Sequence, residues 1–127
     1  MKPPVQTSIE ELQRQFPDAV ISVRDDGSGG AYVILNPIAI GARYVPTSTW
    51  MGFHIPPLYP YADIYPVFIG SDVRRIDGQA FVPPVTHNAA FEGRPAIQVS
   101  RRSSAAQQGL QKAATKVLKI LDFLEKL

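Results

Sequence analysis

The amino-acid sequence predicts an α+β domain with an N-terminal helix, an antiparallel meander of about four strands, a long irregular segment and a long C-terminal helix. Apolar residues recur at helical spacing near both ends of the chain. Between them, short segments rich in β-branched and aromatic residues alternate with clusters of Gly, Pro and Asp, which is typical of strands and turns. The 127 residues suit one domain over residues 1–127, and 45% apolar residues suffice for its core.

The first helix is predicted over residues 8–16. Residues 7–10 and 8–11 both have capping-box spacing, with Thr or Ser three residues before Glu. The helix ends before Pro17, because the residue preceding a proline avoids the helical conformation. Its apolar stripe consists of Ile9, Leu12 and Phe16, so we expect the helix to pack on the sheet.

Strands are predicted at residues 19–24, 31–35, 47–55 and 65–69. Residues 25–30 (Asp-Asp-Gly-Ser-Gly-Gly) are turn-forming and lack the Lys-Ser/Thr of a phosphate-binding loop, so the first two strands are expected to form a hairpin. Residues 56–61 are too rich in proline for a ladder. His54, in the third strand, is expected to be a half-buried polar residue.

Residues 70–103 carry few periodic signals, and we interpret them as a long irregular segment. A structureless stretch of this length is uncommon in a compact domain and is usually functional. Activity is therefore expected here.

A terminal helix of about 20 residues is predicted after a Ser-x-x-Gln capping pattern at residues 104–107. Its apolar stripe consists of Leu110, Ala113, Ala114, Val117, Leu118, Leu121, Leu124 and Leu127. The lysines off this stripe, expected to form a solvated basic face, are Lys112, Lys116, Lys119 and Lys126. Ile120 and Phe123 widen the apolar arc, so the helix is either deeply covered or has a partner, such as a second copy in a homodimer.

Composition excludes several classes of function. Without cysteine there is no disulfide, thiolate metal site or thiol nucleophile. Two histidines without clustered carboxylates indicate neither a metal nor a cofactor, and a net charge of +2 is too small to indicate nucleic-acid binding. No apolar run has the length of a signal peptide or membrane span, so we expect a soluble cytoplasmic protein.

The middle of the chain resembles the ubiquitin-conjugating (UBC-like) superfamily over residues 43–69. The likeness rests on Tyr44, the strand Trp-Met-Gly-Phe-His-Ile-Pro at residues 50–56, the Tyr-Pro at residues 59–60 and the Pro-Val-Phe at residues 66–68. The order of predicted elements follows the same fold along the whole chain. The chain departs from the family in its Tyr-Pro to Pro spacing, and it keeps one proline where the family has Pro-Pro.

In that family, a His-Pro-Asn tripeptide is followed by a Gly and then by the catalytic cysteine. Here His87 and Asn88 precede Gly93, and alignment on Gly93 puts Ala96 near the cysteine position, with residues 97–98 as the alternative. Residues 74–78 are a second counterpart for the tripeptide. None of these side chains can form a thioester.

The resemblance implies a non-catalytic, cysteine-less member, like the ubiquitin conjugating enzyme variants and RWD domains. Such a protein would bind a ubiquitin-like modifier or a component of its conjugation pathway, such as an activating enzyme. The alternative is an atypical conjugating enzyme with a non-cysteine nucleophile. The candidate catalytic residues are then His87, Asn88 and Ser100, with Ser103 and Ser104 nearby, although Gly-x-Ser-x-Gly is absent.

Five arginines in the second half of the chain are candidate partner-binding residues. Brought together, their guanidinium groups would suit an acidic protein surface or, as a further alternative, nucleic acid. They could instead pair with Asp72, Asp77 or Glu92. The five are Arg74, Arg75, Arg94, Arg101 and Arg102.

Overall fold

A computed structural model describes residues 1–102 and 111–127 and shows an N-terminal helix, an antiparallel sheet and a C-terminal helix. The helices are α1 (Pro3–Gln15) and α2 (Ala113–Glu125). The strands are β1 (Val20–Asp25), β2 (Ala31–Ala39), β3 (Tyr44–Val45), β4 (Ser48–Ile55), β5 (Val67–Gly70), β6 (Arg74–Arg75), β7 (Val85–Phe91) and β8 (Arg94–Val99). The predicted α+β class is confirmed at this level.

The main sheet has six strands in the order β1-β2-β4-β5-β8-β7, with every neighbouring pair antiparallel. β3 and β6 form a separate two-stranded sheet. The predicted hairpin is confirmed, because β1 pairs with β2 across the turn at residues 25–30.

One face of the main sheet and both helices build the principal core. Alternate residues of each strand point to the same face, and on this face those of β4 are Met51, Phe53 and Ile55, all fully buried. The helices contribute Val5, Ile9, Leu12, Val117, Ile120 and Leu124. Most of the apolar arc of α2 therefore packs into the core of its own chain, whereas Leu118 stays exposed.

Helix α1 begins earlier than predicted and without the predicted cap. It starts at Pro3, a residue suited to the first helical turn because its missing N–H would have no partner there. Ser8 is buried within the helix, and its hydroxyl donates a hydrogen bond to the carbonyl oxygen of Val5 (2.7 Å). The capping boxes predicted at residues 7–11 are therefore wrong, while the end before Pro17 is as expected.

The prediction of an irregular segment over residues 70–103 is wrong, because β7 and β8 form a hairpin there and extend the sheet. Glu92 and Gly93 both have positive φ (50° and 76°), as a two-residue hairpin turn requires. A register shift between Thr86 and Ala89, with Asn88 at φ 64°, breaks the alternation of side chains along β7. Because of the bulge, apolar and polar residues do not alternate regularly along β7, so its sequence carries no periodic signal of a strand.

Helix α2 is shorter in the described residues than predicted. It begins at Ala113, because Lys112 is extended (φ −133°, ψ 126°). The predicted cap at residues 104–107 and Leu110 lie outside the described residues. Lys116, expected on the solvated face, is buried, whereas Leu118, expected on the apolar stripe, is 46% exposed.

Two tyrosines hold α2 at its two ends. The amide of Ala113 donates to the Tyr59 hydroxyl (3.1 Å), which supplies one partner for the free N–H groups of the first turn. At the other end, the Tyr44 hydroxyl donates to the Leu124 carbonyl oxygen (2.5 Å). Both tyrosines belong to the pattern that carries the UBC-like resemblance, and both are buried.

Replacing Tyr59 by Phe is expected to lower the free energy of unfolding by about 1–2 kcal/mol, because the Ala113 amide is left without its buried partner. Urea denaturation followed by Trp50 fluorescence measures the change. The matched control is Tyr61→Phe, since Tyr61 is 82% exposed. Equal urea midpoints for the two variants would contradict the role of Tyr59 at the helix end.

Candidate functional site

The face of the main sheet opposite the helices carries a second, smaller apolar cluster. Ile34, Phe91 and Ala96 are buried in it, and partly buried aromatic rings surround them. We call Tyr32, Trp50, Phe68 and Phe91 the aromatic face. They lie there because each strand points alternate residues outwards, so that Trp50 faces away from the core that Met51 and Phe53 enter.

Phe91 is the centre of the aromatic face. Its ring stacks on Phe68 at a centroid distance of 5.0 Å and on Trp50 at 6.3 Å. A Cβ atom at position 52 would lie 2.6 Å from the Phe91 ring. Gly52 therefore provides the space in which Phe91 lies flat on the sheet.

Tyr32 is enclosed by its two cross-strand neighbours. The register pairs it with Arg24 on one side and His54 on the other. The Arg24 guanidinium lies 4.4 Å from the ring centroid, and the His54 ring stacks at 4.5 Å. Arg24 also donates two hydrogen bonds of 2.8 Å to the Glu92 carboxylate. Both faces of the Tyr32 ring are thus occupied, and a partner would meet its edge.

A carboxylate–imidazole pair lies at the corner of this face. His54 Nε2 is 2.7 Å from Asp26 Oδ2, and the Asp26 side chain is only 5% exposed. The amides of Ser28 and Gly30 also donate to Asp26. The hydrogen bond to His54, followed by that from Ser28, lowers the pKa of Asp26. An ionised Asp26 orients the His54 ring, so that its other nitrogen faces away from the carboxylate.

Folding stability is expected to decrease as the pH falls below about 4, because several carboxyls have a lowered pKa in the folded chain. In each case the largest cause is a hydrogen bond to the carboxylate. The partners are His54 at Asp26, the Gly27 amide at Asp25, Arg75 at Asp77 and Arg24 at Glu92. When the pH falls, these carboxylates become protonated in the unfolded chain before they do in the folded chain. The stabilisation that they give is therefore complete above their ordinary pKa, and it is lost as the pH falls from that value through the lowered pKa of the folded chain.

Asp26→Asn is expected to show a smaller loss of stability between pH 7 and pH 3 than the unmodified protein. Urea denaturation at each pH measures it. Asp18→Asn is the control, because Asp18 is exposed and makes no salt bridge within residues 1–102 and 111–127. An identical pH dependence in the two variants would refute the role assigned to Asp26.

The structure does not bring the candidate catalytic residues into one constellation. His87 is exposed in the β7 bulge with its ring 5.5 Å from that of Phe81, and Asn88 follows it with positive φ. The Ser100 hydroxyl accepts a hydrogen bond from Gln98 Nε2 (2.8 Å), and its amide donates to the Pro84 carbonyl. Ser100 therefore lies next to the Val85–Val99 pair, at the end of the β7–β8 ladder opposite the Glu92–Gly93 turn, and among the described residues no hydrogen bond joins it to His87 or Asn88.

Ala96, aligned with the family's cysteine, lies inside strand β8 between Gly70 of β5 and Ala89 of β7. Its side chain is 1% exposed and packs with Ile34 and Phe91. A nucleophile has to be reached by the group that it attacks, and this position is closed.

The five candidate arginines occupy three separate places. Arg74 and Arg75 form β6, where Arg75 pairs with Asp77 (2.7 Å). Arg94 begins β8 and lies over the Trp50 ring at 5.5 Å. Arg101 and Arg102 follow the other end of β8, which is roughly 17 Å long. They do not form one basic patch.

Sequence reasoning missed the aromatic face. A signal was present in residues 50–55, where large side chains occur at both odd and even positions. Successive residues of a strand point to opposite faces of the sheet, so Trp50 and His54 could not enter the core that holds Met51, Phe53 and Ile55. The sequence does not assign Phe91 to this face, because residues 85–91 carry no strict alternation that would predict a strand.

No protein-family model, curated protein or solved structure matches the chain. Within residues 1–102 and 111–127, no group of three or more His, Asp or Glu side chains could hold a metal ion. Neither helix in those residues is long and apolar enough to cross a membrane.

Proposed function

We propose that this chain is a non-catalytic, UBC-like protein-binding domain that recognises a ubiquitin-like modifier or a component of its conjugation pathway through the aromatic face. The observation that carries the binding surface is the set of half-buried rings of Tyr32, Trp50 and Phe68 on a sheet face without a helix over it in the described residues. The kind of partner comes from the resemblance of residues 43–69 to the UBC-like superfamily.

The composition and rigidity of the aromatic face suit a protein partner. Trp, Tyr and Arg are the residues most enriched where binding energy concentrates in protein interfaces. Here Trp50 and Phe68 are supported from below by Phe91, and Arg94 covers part of Trp50. Such prearranged rings lose little conformational freedom when a partner docks.

Nucleic acid is the less favoured ligand for this surface. Single-strand binders stack bases on exposed ring faces. The faces of Tyr32 are occupied by Arg24 and His54, and the guanidinium of Arg24 is paired with Glu92. Little ring surface or free positive charge therefore remains at this corner for a nucleotide.

Recognition without covalent transfer is consistent with the chemistry of the chain. A thioester requires a thiolate, which no residue supplies. A serine alkoxide would need an activating base, and the Ser100 hydroxyl is instead bound to Gln98.

The test is a titration of the ¹⁵N-labelled protein with ubiquitin and, separately, with the ubiquitin-like protein of the source organism. Chemical-shift changes are expected at the Trp50 indole and along β4, β5 and β8. Trp50→Ala is expected to weaken binding about 30-fold, as truncation at the centre of an interface does. Leu58→Ala is the matched control, because Leu58 is 69% exposed outside the aromatic face.

Equal effects of the two substitutions, or shift changes confined to α1 and α2, would reject the aromatic face as the interface. Absence of binding to both probes at millimolar concentration would reject the proposed class of partner. Incubation of the protein with an activating enzyme, the modifier and ATP tests whether the chain is non-catalytic. A hydroxylamine-labile, thiol-resistant adduct that Ser100→Ala abolishes would show catalysis and overturn the non-catalytic assignment.

A further inference from the structure

An open groove of about 700 Å³ lies between α2 and the two arginines that follow β8. It is on a different part of the molecule from the aromatic face, since Phe123 and Leu118 of α2 line it and Trp50 does not. Its positively charged side chains are Arg101, Arg102, Lys116, Lys119 and Lys126.

The positive charge of the groove is only partly neutralised. Lys116 pairs with Asp63 (3.2 Å), and Lys126 pairs with Asp122 (3.0 Å), the one acidic residue among the described lining residues. Over residues 1–102 and 111–127, no salt bridge includes Arg101, Arg102 or Lys119. The intervening residues 103–110 (Ser-Ser-Ala-Ala-Gln-Gln-Gly-Leu) contain no carboxylate that could supply the missing counter-charge.

The guanidinium groups of both arginines lie over aromatic rings. The Arg101 guanidinium lies 4.7 Å from the ring centroid of Phe123, and that of Arg102 lies 3.9 Å from that of Tyr65. A stacked guanidinium keeps the N–H groups at its edge free for a carboxylate. Because the stacking already restricts these side chains, carboxylate binding costs less conformational entropy.

The groove also offers apolar surface. Leu118 is 46% exposed, and Phe123 is partly buried beneath Arg101. The combination of fixed guanidinium groups, a free lysine ammonium and exposed apolar carbon suits a ligand that alternates acidic and apolar side chains.

We infer that this groove binds an acidic polypeptide segment with interspersed apolar residues. Carboxylates of the segment pair with Arg101, Arg102 and Lys119, and its apolar side chains cover Leu118. A protein segment is favoured over nucleic acid, because Arg101 and Arg102 cover the rings on which bases would stack. The inference does not depend on the partner proposed for the aromatic face.

The probe is a fluorescein-labelled octapeptide of alternating Glu and Leu, measured by fluorescence anisotropy at 50 mM NaCl. We expect saturable binding that weakens with added salt. The double variant Arg101→Gln/Arg102→Gln is expected to lose about tenfold or more in affinity. Arg14→Gln/Arg74→Gln removes the same charge from exposed sites away from the groove and is the matched control.

Lys119→Gln tests the same charge without disturbing either stacked ring, so a folding defect in the double variant would not hide the result. It is expected to weaken binding severalfold. The inference would be overturned if an octapeptide of alternating Gln and Leu bound as tightly as the Glu-Leu peptide. It would also be overturned if the groove and control double variants lost the same affinity for the Glu-Leu peptide. Tighter binding of an eight-nucleotide oligothymidylate, with the same dependence on Arg101 and Arg102, would assign the groove to nucleic acid instead.

Discussion

Replacing Gly30 by Ala is expected to lower the free energy of unfolding by about 3 kcal/mol or more. An added Cβ would lie 2.3 Å from the Ile55 carbonyl oxygen, 2.5 Å from Asp26 Oδ2 and 3.0 Å from the Pro57 nitrogen. Two of these atoms are backbone, and Ile55 is in register with Ala31 at the start of the β2–β4 ladder. The overlap with the two backbone atoms can be relieved only by moving the chain at the start of β2 or the end of β4, and the overlap with Asp26 only by moving its carboxylate away from His54.

Urea denaturation of Gly30→Ala and Gly78→Ala separates this collision from an ordinary loss of glycine flexibility. Gly78 has φ +76°, and a Cβ there meets nothing within 4 Å, so alanine is expected to cost about 1 kcal/mol. Equal losses for the two variants would show that the space around Gly30 is not limiting. The Gly30 variant should also lose the His54–Asp26 pair, visible as a shift of the His54 ring resonances.

Truncation of Phe91 to Ala is expected to cost about 3 kcal/mol or more, because its ring is only 7% exposed and lies between Gly52, Trp50 and Phe68. In the reverse direction, Gly52→Ala is expected to cost about 1–3 kcal/mol, since the new methyl group would overlap the Phe91 ring.

The double variant tests whether these two costs have one cause. Once the ring is absent, the methyl group at position 52 occupies free space, so Gly52→Ala should cost at least about 1 kcal/mol less in the Phe91→Ala background. Urea denaturation of the four proteins measures the coupling. Strict additivity would mean that Gly52 is required for another reason. Loss of Phe91 should also weaken partner binding, because Trp50 and Phe68 lose the ring that supports them.

The β7–β8 hairpin shows why part of the sheet escaped prediction. Strands such as β4 are predicted by β-branched and aromatic residues that stand between turn-forming clusters. In β7, the bulge at Asn88 interrupts the alternation of side chains, and the Glu-Gly turn is a less usual one than Asn-Gly or Asp-Gly. Without these two strands, neither the position of Ala96 inside β8 nor the place of Phe91 on the aromatic face could be deduced.

Lys116 illustrates the same limit on helix α2. Helical spacing predicted it on the exposed basic face, yet its ammonium group is buried against Asp63 and the Arg101 carbonyl oxygen. Burial lowers the pKa of Lys116, and Asp63 opposes that effect. A spacing rule describes one helix alone, whereas Asp63, the partner of Lys116, follows the proline-rich residues 56–61 far from α2 in the sequence.

The residue order alone predicts an α+β chain with a helix near each end and a β1–β2 hairpin, and it excludes thiol chemistry because there is no cysteine. Those properties follow from local patterns of residue type, which act over a few neighbouring positions. Only the tertiary structure shows that Tyr44 and Tyr59 bind the two ends of α2 and that Phe91 lies against Gly52. It also separates the five candidate arginines into three places on the surface. Such contacts join residues up to 80 positions apart, and the sheet register and strand order that create them have no counterpart in local periodicity.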